Sequence, residues 1–256
     1  MLRALHTAAT GMDAQQRKID TTANNIANVN TTGFKSSRAE FQELLTQQIR
    51  PAGQGQGPVG VDVGLGVKTA ATTKSFSQGA LEATENPLDV AIEGSGFFQV
   101  QNPQGELLYT RAGNFKVNQD GELVTAEGMR LVPNVVVPQD ATSISIERNG
   151  TISVMLPGDT QPVELGQLEL ATFTNPAGMK SLGRSLFAPT QASGDAMITR
   201  PGEQGSGELS QGFLEGSNVE IVTEMIDMIV SQRAYEINSK VIRTADEMLR
   251  SVTNLR

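Results

Sequence analysis

The chain has 256 residues, of which 38% are hydrophobic and 4% aromatic, with 26 glycines and no tryptophan. This balance allows one large or two modest domains and favours an extended, turn-rich molecule over a compact enzyme. Residues 1–35 carry four Lys or Arg and two Asp or Glu, and residues 216–256 carry five and six. The middle therefore holds 11 of the 20 basic and 20 of the 28 acidic residues, which argues against nucleic acid as a partner.

No stretch approaches the roughly 18 apolar residues of a membrane span, so we expect no direct membrane span. The N-terminus carries Arg3, His6 and Asp13 on an amphipathic pattern and lacks the continuous apolar core of a signal peptide. The absence of cysteine fits a cytoplasmic protein, and it fits equally well a protein that crosses an oxidising compartment unfolded. Composition alone does not choose between these two locations.

The first predicted element is a helix over residues 2–27, because the following Asn and Thr residues form helices poorly and Gly33 can adopt the left-handed conformation that stops one. Its apolar residues recur in steps of three and four, which is typical of a coiled-coil seam. The seam consists of Leu2, Leu5, Ala9, Met12, Gln16, Ile19, Ala23 and Ile26.

Two weaker signals follow this helix. The spacing of Phe41, Leu44 and Leu45 predicts a second, shorter helix over residues 36–48. Eight of the sixteen residues from Pro51 to Gly66 are Gly or Pro, which predicts a loop or an irregular extended arm.

Residues 68–200 carry the pattern of short strands with closely spaced turns, which indicates a mainly β, mostly antiparallel central domain. Residues 118–121 and the pair Asn149-Gly150 are hairpin-turn signals. Strands are expected around Gly94 and Gly96 and at residues 107–117, 123–125, 135–137, 143–146, 152–156, 168–173 and 187–189.

A Gly-rich stretch over residues 201–216 leads into a long C-terminal helix with Ser217 or Asn218 as its expected N-cap. One apolar seam runs from Ile221 through Met225, Met228 and Tyr235 to Leu249, and a second includes Val241, Met248 and Val252. The predicted organisation is a terminal helical polymerisation domain (1–34 and 217–256), an extended connecting region (35–80 and 201–216) and a β-rich outer domain (81–200).

The sequence carries no recognisable catalytic or metal-binding constellation. With no Cys and only His6, the usual nucleophilic triads and His-based metal sites lack a required residue. Asp89 and Glu93 could in principle form an acid/base pair, but Asp89 is better explained as a turn residue at a strand start. Gly94-Ser95-Gly96 lacks the third glycine of a dinucleotide loop and is interpreted as a tight turn. We therefore expect no enzyme activity, cofactor or metal.

The terminal helices are the better candidates for function. Burying about eight apolar side chains yields about 12 to 24 kcal/mol, whereas ordering about 26 residues of backbone costs roughly 26 to 52 kcal/mol. Packing one seam against one partner is therefore too weak to hold a helix firmly. We expect the ends to become firmly helical only in an assembly. The expected polymerisation interface consists of Leu2, Leu5, Met12, Ile19, Ile26, Met225, Met228, Tyr235, Val241, Met248, Leu249 and Val252.

Several long motifs resemble those of one family. Residues 23–35 (ANNIANVNTTGFK) and 232–240 (QRAYEINSK), followed by 246–249 (DEML), are similar to the N- and C-terminal signatures of bacterial flagellar rod and hook proteins. Residues 89–98 (DVAIEGSGFF), 109–115 (YTRAGNF) and 121–125 (GELVT) resemble central segments of the same family. Within it, the length and residues 75–79 (SFSQG) are most similar to subunits of the distal rod.

The resemblance implies a structural subunit that is exported by the flagellar type III apparatus without a cleaved signal and polymerises helically into the periplasmic drive shaft. The terminal helices would form coiled-coil-like packing in an inner tube. The β domain would face the basal-body rings, and the implied partners are further copies of the chain, other rod subunits and the hook protein. The alternatives are a proximal rod or hook-type axial subunit and, more remotely, a fibre or adhesin subunit.

Overall fold

The computed structural model describes residues 2–50, 60–158 and 161–254, without the side chains of Leu2, Arg50 and residues 252–254. The chain divides into two compact units. Residues 1–27, 37–74 and 220–256 form one, here called the helical unit, and residues 28–36 and 75–219 form the other, the β unit.

The helical unit contains the two long helices and two pairs of antiparallel strands. Strands β1 and β4 pair from Ser37 with Lys74 to Glu43 with Val67, and β2 pairs with β3. The elements are α1 (Leu2–Ala27), β1 (Ser37–Glu43), β2 (Gln47–Arg50), β3 (Val61–Val63), β4 (Val67–Lys74) and α2 (Ile221–Asn254). The predicted bounds of the first helix are confirmed.

Two predictions in this unit are wrong. Residues 36–48 form β1 and the start of β2 rather than a helix, because β1 pairs with β4, a strand rich in β-branched Val and Thr. The helix α2 begins at Ile221, so neither Ser217 nor Asn218 is its N-cap. The Asn218 side chain instead accepts a hydrogen bond from the Ser36 amide and donates to the Ser75 carbonyl, which ties segments of the β unit together. Of the predicted loop at residues 51–66, residues 51–59 lie outside the described part of the chain.

The β unit is mainly β, as predicted, and its pairings are antiparallel. Its main sheet has the order β16-β17-β8-β7-β11-β10-β9, with β15 paired to β7 and β18 paired to β15. A three-stranded sheet, β12-β13-β14, and the pairs β19-β6 and β20-β5 complete the described strands. The first ten are β5 (Leu81–Ala83), β6 (Val90–Glu93), β7 (Phe97–Gln101), β8 (Leu107–Thr110), β9 (Lys116–Val117), β10 (Leu123–Val124), β11 (Arg130–Val132), β12 (Ser143–Ile146), β13 (Thr151–Met155) and β14 (Val163–Gln167). The others are β15 (Leu170–Thr172), β16 (Lys180–Gly183), β17 (Leu186–Ala188), β18 (Met197–Thr199), β19 (Glu208–Gln211) and β20 (Phe213–Glu215).

Two apolar clusters fill this unit. The larger one gathers residues of the main sheet, the three-stranded sheet and the β19-β6 pair, including Ile92, Phe98 and Leu170, which are fully buried. The smaller one is aromatic: Phe97 contacts Phe173 and Phe187 edge to face. These edge-to-face contacts are the favoured geometry for aromatic rings, and they fix the centre of the β unit.

The strand predictions are largely confirmed. The turn at residues 118–121 joins β9 to β10, and Asn149-Gly150 lies between β12 and β13. The expected strand over residues 107–117 is interrupted, because the Val90 amide bonds the Gly113 carbonyl there and a Cβ at Gly113 would lie 1.7 Å from the Val90 carbonyl oxygen. Residues 135–137 form only one bridge, between Val136 and Glu122, rather than a strand.

Candidate functional site: the apolar face of the two helices

The helices α1 and α2 lie side by side and antiparallel, because the residue numbers of the α2 contacts fall as those of α1 rise. A Cβ built on Gly11 would lie 3.0 Å from Asn238 Nδ2. Lys18 Nζ lies 2.9 Å from Asp227 Oδ1, and Asn25 Nδ2 donates to Glu224 Oε1 over 3.0 Å. The contact between the helices is therefore made by small and polar groups rather than by the apolar seams.

Residues of this contact that are bonded across it, lie close to the other helix or are almost fully buried define a contact row on each helix. On α1 the contact row is Ala8, Gly11, Ala14, Lys18, Thr22 and Asn25. On α2 it is Glu224, Asp227, Ser231, Asn238 and Ala245.

Every contact-row residue except Ala14 stands one position before a member of the predicted apolar seams, which on α2 also include Gln232, Ser239 and Asp246. One residue corresponds to about 100° around a helix, so each seam is turned away from the neighbouring helix. Because the helices are antiparallel, rotation by one residue carries both seams toward the same side of the pair. The result is a shared surface, the apolar face, made of Leu5, Met12, Ile19 and Ile26 on α1 and Met225, Met228, Tyr235 and Ile242 on α2.

Two of the four α2 members of the apolar face are exposed to solvent, and Met228 and Ile242 are half-buried. Met225 is 53% and Tyr235 39% exposed. The four α1 members and Met228 are half-buried, as is the neighbouring Leu249. The expected interface residues Leu2 and Val252 have side chains outside the described part of the structure.

Two residues of the expected interface lie outside the apolar face. Val241 and Met248 follow the contact residues Asn238 and Ala245 by three positions, which places them about 60° to the opposite side of the contact row. Both side chains are exposed. The structure therefore separates Val241 and Met248 from the apolar face.

The opposite flank of α1 is covered by the start of β4. Thr10 Oγ1 accepts a hydrogen bond from the Val67 amide, and a Cβ at Gly66 would lie 2.3 Å from the same oxygen. Because α2 covers one side of α1 and β4 another, the apolar face is the side of α1 that these elements leave open.

Sequence reasoning missed a second exposed surface on α2, here called the outer row. Val222, Ile226, Ile229 and Ile237 are each between 55% and 65% exposed. Their spacing of four, three and eight residues keeps them on one stripe, roughly opposite the contact row. That spacing was visible in the sequence, but the second seam was assigned to Val241, Met248 and Val252 instead.

The structure also shows the surroundings of the other residues that the sequence offered as candidates. His6 is exposed on α1. The Asp89 carboxylate accepts hydrogen bonds from the Thr84 hydroxyl and the Asn86 amide, which confirms its place at a turn. Gly94 and Gly96 both adopt positive φ, as a tight turn requires. Among the described residues no cluster of His, Cys, Asp or Glu could hold a metal ion, and no helix is long and apolar enough to cross a membrane.

Comparison with protein families gives three matches spread along the chain. Residues 5–35 match the family described as flagella basal body rod protein. Residues 91–154 match the flagellar hook protein FlgE/F/G D1 domain, and residues 210–255 match the flagellar basal body rod FlgEFG protein C-terminal family. The paired terminal helices and the β unit that separates them along the chain thus define an axial protein of the flagellar rod and hook.

Similar proteins that align over their full length show which kind of axial protein this chain is. The flagellar basal-body rod protein FlgG of Borreliella burgdorferi is 48% identical over 263 residues, which cover 100% of this chain and 99% of the relative. Those of Caulobacter vibrioides and Bacillus subtilis are 47% and 38% identical, with 100% of each chain covered. The chain therefore belongs to the FlgG family of flagellar basal-body rod proteins, and its resemblance to the distal rod subunits is confirmed. It is a structural subunit of the flagellar basal body.

Proposed function

We propose that the chain polymerises helically into the distal rod, the periplasmic shaft that transmits torque to the hook, and that it performs no catalysis. The observation that carries the proposal is the apolar face, which α1 and α2 present together while their mutual contact uses small and polar groups. Its occupant is a second copy of this chain, because the relatives that match from end to end are rod proteins.

The exposed apolar area supplies the driving force. Met225, Ile226, Ile229 and Ile237 are each more than half exposed, and burying such a side chain fully stabilises an assembly by about 1.5 to 3 kcal/mol. The apolar face and the outer row point in different directions, so each copy can contact more than one neighbour. Contacts of this kind that do not close into a ring produce an open helical polymer.

The remaining features of the proposal concern place and partners. The subunit would reach the periplasm through the flagellar export apparatus without a cleaved signal, and would join other rod subunits and the hook protein. The terminal helices would form coiled-coil-like packing in the inner tube, and the β unit would face the surrounding rings. The acidic residues concentrated between the terminal segments support exposure of the β unit to solvent.

Electron microscopy of the purified full-length chain under polymerising conditions tests this proposal. We expect straight tubes from the native chain and none from Met12→Asp or Met228→Asp, because each places a charge on the apolar face. Leu182→Asp is the matched control, since Leu182 is an exposed apolar residue of the β unit. Tubes from both helix variants would contradict the proposal, and curved tubes from the native chain would indicate a hook-type subunit instead.

A further inference from the structure

Asn25 is the most constrained polar residue of the contact between α1 and α2. It is 2% exposed, and its amide nitrogen donates to both the Ser37 carbonyl and Glu224 Oε1. Its side-chain oxygen accepts a hydrogen bond from the Ser37 amide at 2.9 Å. One side chain therefore joins α1, the start of β1 and α2, and both its amide nitrogen and its oxygen are hydrogen-bonded in this arrangement.

Most other residues of the contact row do little to fix how the two helices align along their axes. Ala8, Gly11, Ser231 and Ala245 are small, and small side chains offer no large knobs that would resist sliding. Lys18 and Asp227 form the other charged contact, at 2.9 Å. A slide of one heptad moves a helix by about 10 Å, which separates Asn25 from Glu224 and Lys18 from Asp227 together.

We propose that Asn25, assisted by Lys18, fixes the register of α1 against α2. A buried polar residue at a helix contact can specify register. Here a slide of α2 removes the bond from Asn25 to Glu224, while the two bonds to Ser37 remain. The register in turn decides which apolar side chains of α1 lie beside which side chains of α2 on the apolar face. This consequence for assembly rests on the proposed function, whereas the register itself is observed between α1 and α2 of one chain.

Disulfide trapping in the monomer reads the register directly, because the chain has no cysteine of its own. Gly11→Cys is combined with Asn238→Cys to report the observed alignment, and with Ser231→Cys or Ala245→Cys to report slides of one heptad in either direction. Oxidation is carried out on dilute, non-polymerised full-length protein, and cross-linked monomers are separated from dimers by gel mobility. We expect the pair at positions 11 and 238 to dominate in the native background.

In the background Asn25→Leu with Lys18→Met, we expect the ratio of in-register to shifted cross-links to fall by about ten-fold, since bonds to charged partners are lost. Asn24→Leu is the control, because it makes the same change at the neighbouring exposed position. An unchanged ratio in the double variant would overturn the proposal, as would equal yields of the three pairs in the native background.

A charge-exchange experiment tests the proposal separately, in case the double variant does not form its helices. Lys18→Asp alone should lower the in-register yield, and adding Asp227→Lys should restore it, whereas failure of restoration would remove Lys18 from the proposal. Tube formation is scored separately by microscopy. Correct cross-links in a chain that never forms tubes would count against the proposed function and leave the register assignment standing.

Discussion

Lys35 Nζ lies 2.6 Å from Glu215 Oε1 inside the β unit, and both side chains are completely buried. The other carboxylate oxygen lies 3.2 Å from Arg111 Nη1, and the Gly79 amide also donates to Glu215. Burial lowers the pKa of Lys35 and that of Arg111, while the negative charge of Glu215 opposes both shifts. One carboxylate thus holds two buried cations from distant parts of the sequence.

Replacing this carboxylate tests its importance for the β unit. Glu215→Gln removes the carboxylate that Lys35 and Arg111 share, and breaking a buried ion pair in this way costs about 3 to 5 kcal/mol. Urea unfolding of the full-length chain measures the loss. Glu208→Gln is the matched control, because Glu208 contacts Arg148 at 3.8 Å in an exposed pair, and such pairs contribute little. Equal effects of the two substitutions would contradict this account.

The turn at Gly33 allows a second comparison. Gly33 and Gly128 both have positive φ, at 65° and 81°, so alanine strains the backbone at either position. A Cβ at Gly33 would also lie 2.6 Å from the Ala112 amide nitrogen, whereas a Cβ at Gly128 meets nothing within 4 Å. Gly33→Ala should therefore lower the thermal midpoint clearly more than Gly128→Ala does. Equal midpoints would show that residues 28–36 move aside without loss.

Local patterns were sufficient for the parts of the fold that depend on neighbours in sequence. The bounds of α1 and the turns at residues 118–121 and 149–150 were predicted because the signals lie within the elements themselves. Strand β1 was missed because its partner β4 begins 24 residues after β1 ends. Pairing over such a distance outweighed the helix-like spacing of Phe41, Leu44 and Leu45.

The candidate site was likewise predictable only in the part that depends on local patterns. The heptad pattern identified which residues of α1 and α2 are apolar, but it did not reveal which row faces the other helix. Ala8, Gly11 and Asn25 carry no apolar signal, yet they form the contact. The apolar rows were predicted, and the shared face that they form depends on an antiparallel pairing that no local pattern specifies.

Glu122 gives the β unit a defined sensitivity to acid. Hydrogen bonds from Asn134 and Asn118 hold the pKa of its carboxyl below the usual 4.5, with a smaller contribution from Arg130. A carboxylate with a lowered folded-state pKa stabilises the fold above its unfolded pKa, and this contribution is lost as the pH falls through the folded-state value. The urea midpoint of the native chain should therefore exceed that of Glu122→Gln at pH 6. The difference should shrink below about pH 4.5, and a constant difference from pH 6 to 3 would contradict the assignment.

The outer row of α2 distinguishes an open polymer from a closed pair. If only the apolar face bound a neighbour, two copies could satisfy each other and assembly would stop at a dimer. Ile226 and Ile237 are 57% and 64% exposed on a different side of α2, so we expect Ile226→Asp with Ile237→Asp to abolish tubes while the apolar face still joins copies into small oligomers. Light scattering after size exclusion measures their mass, with Leu182→Asp as the control that retains tubes. Tubes of normal length from the double variant would show that the outer row faces no neighbour in the polymer.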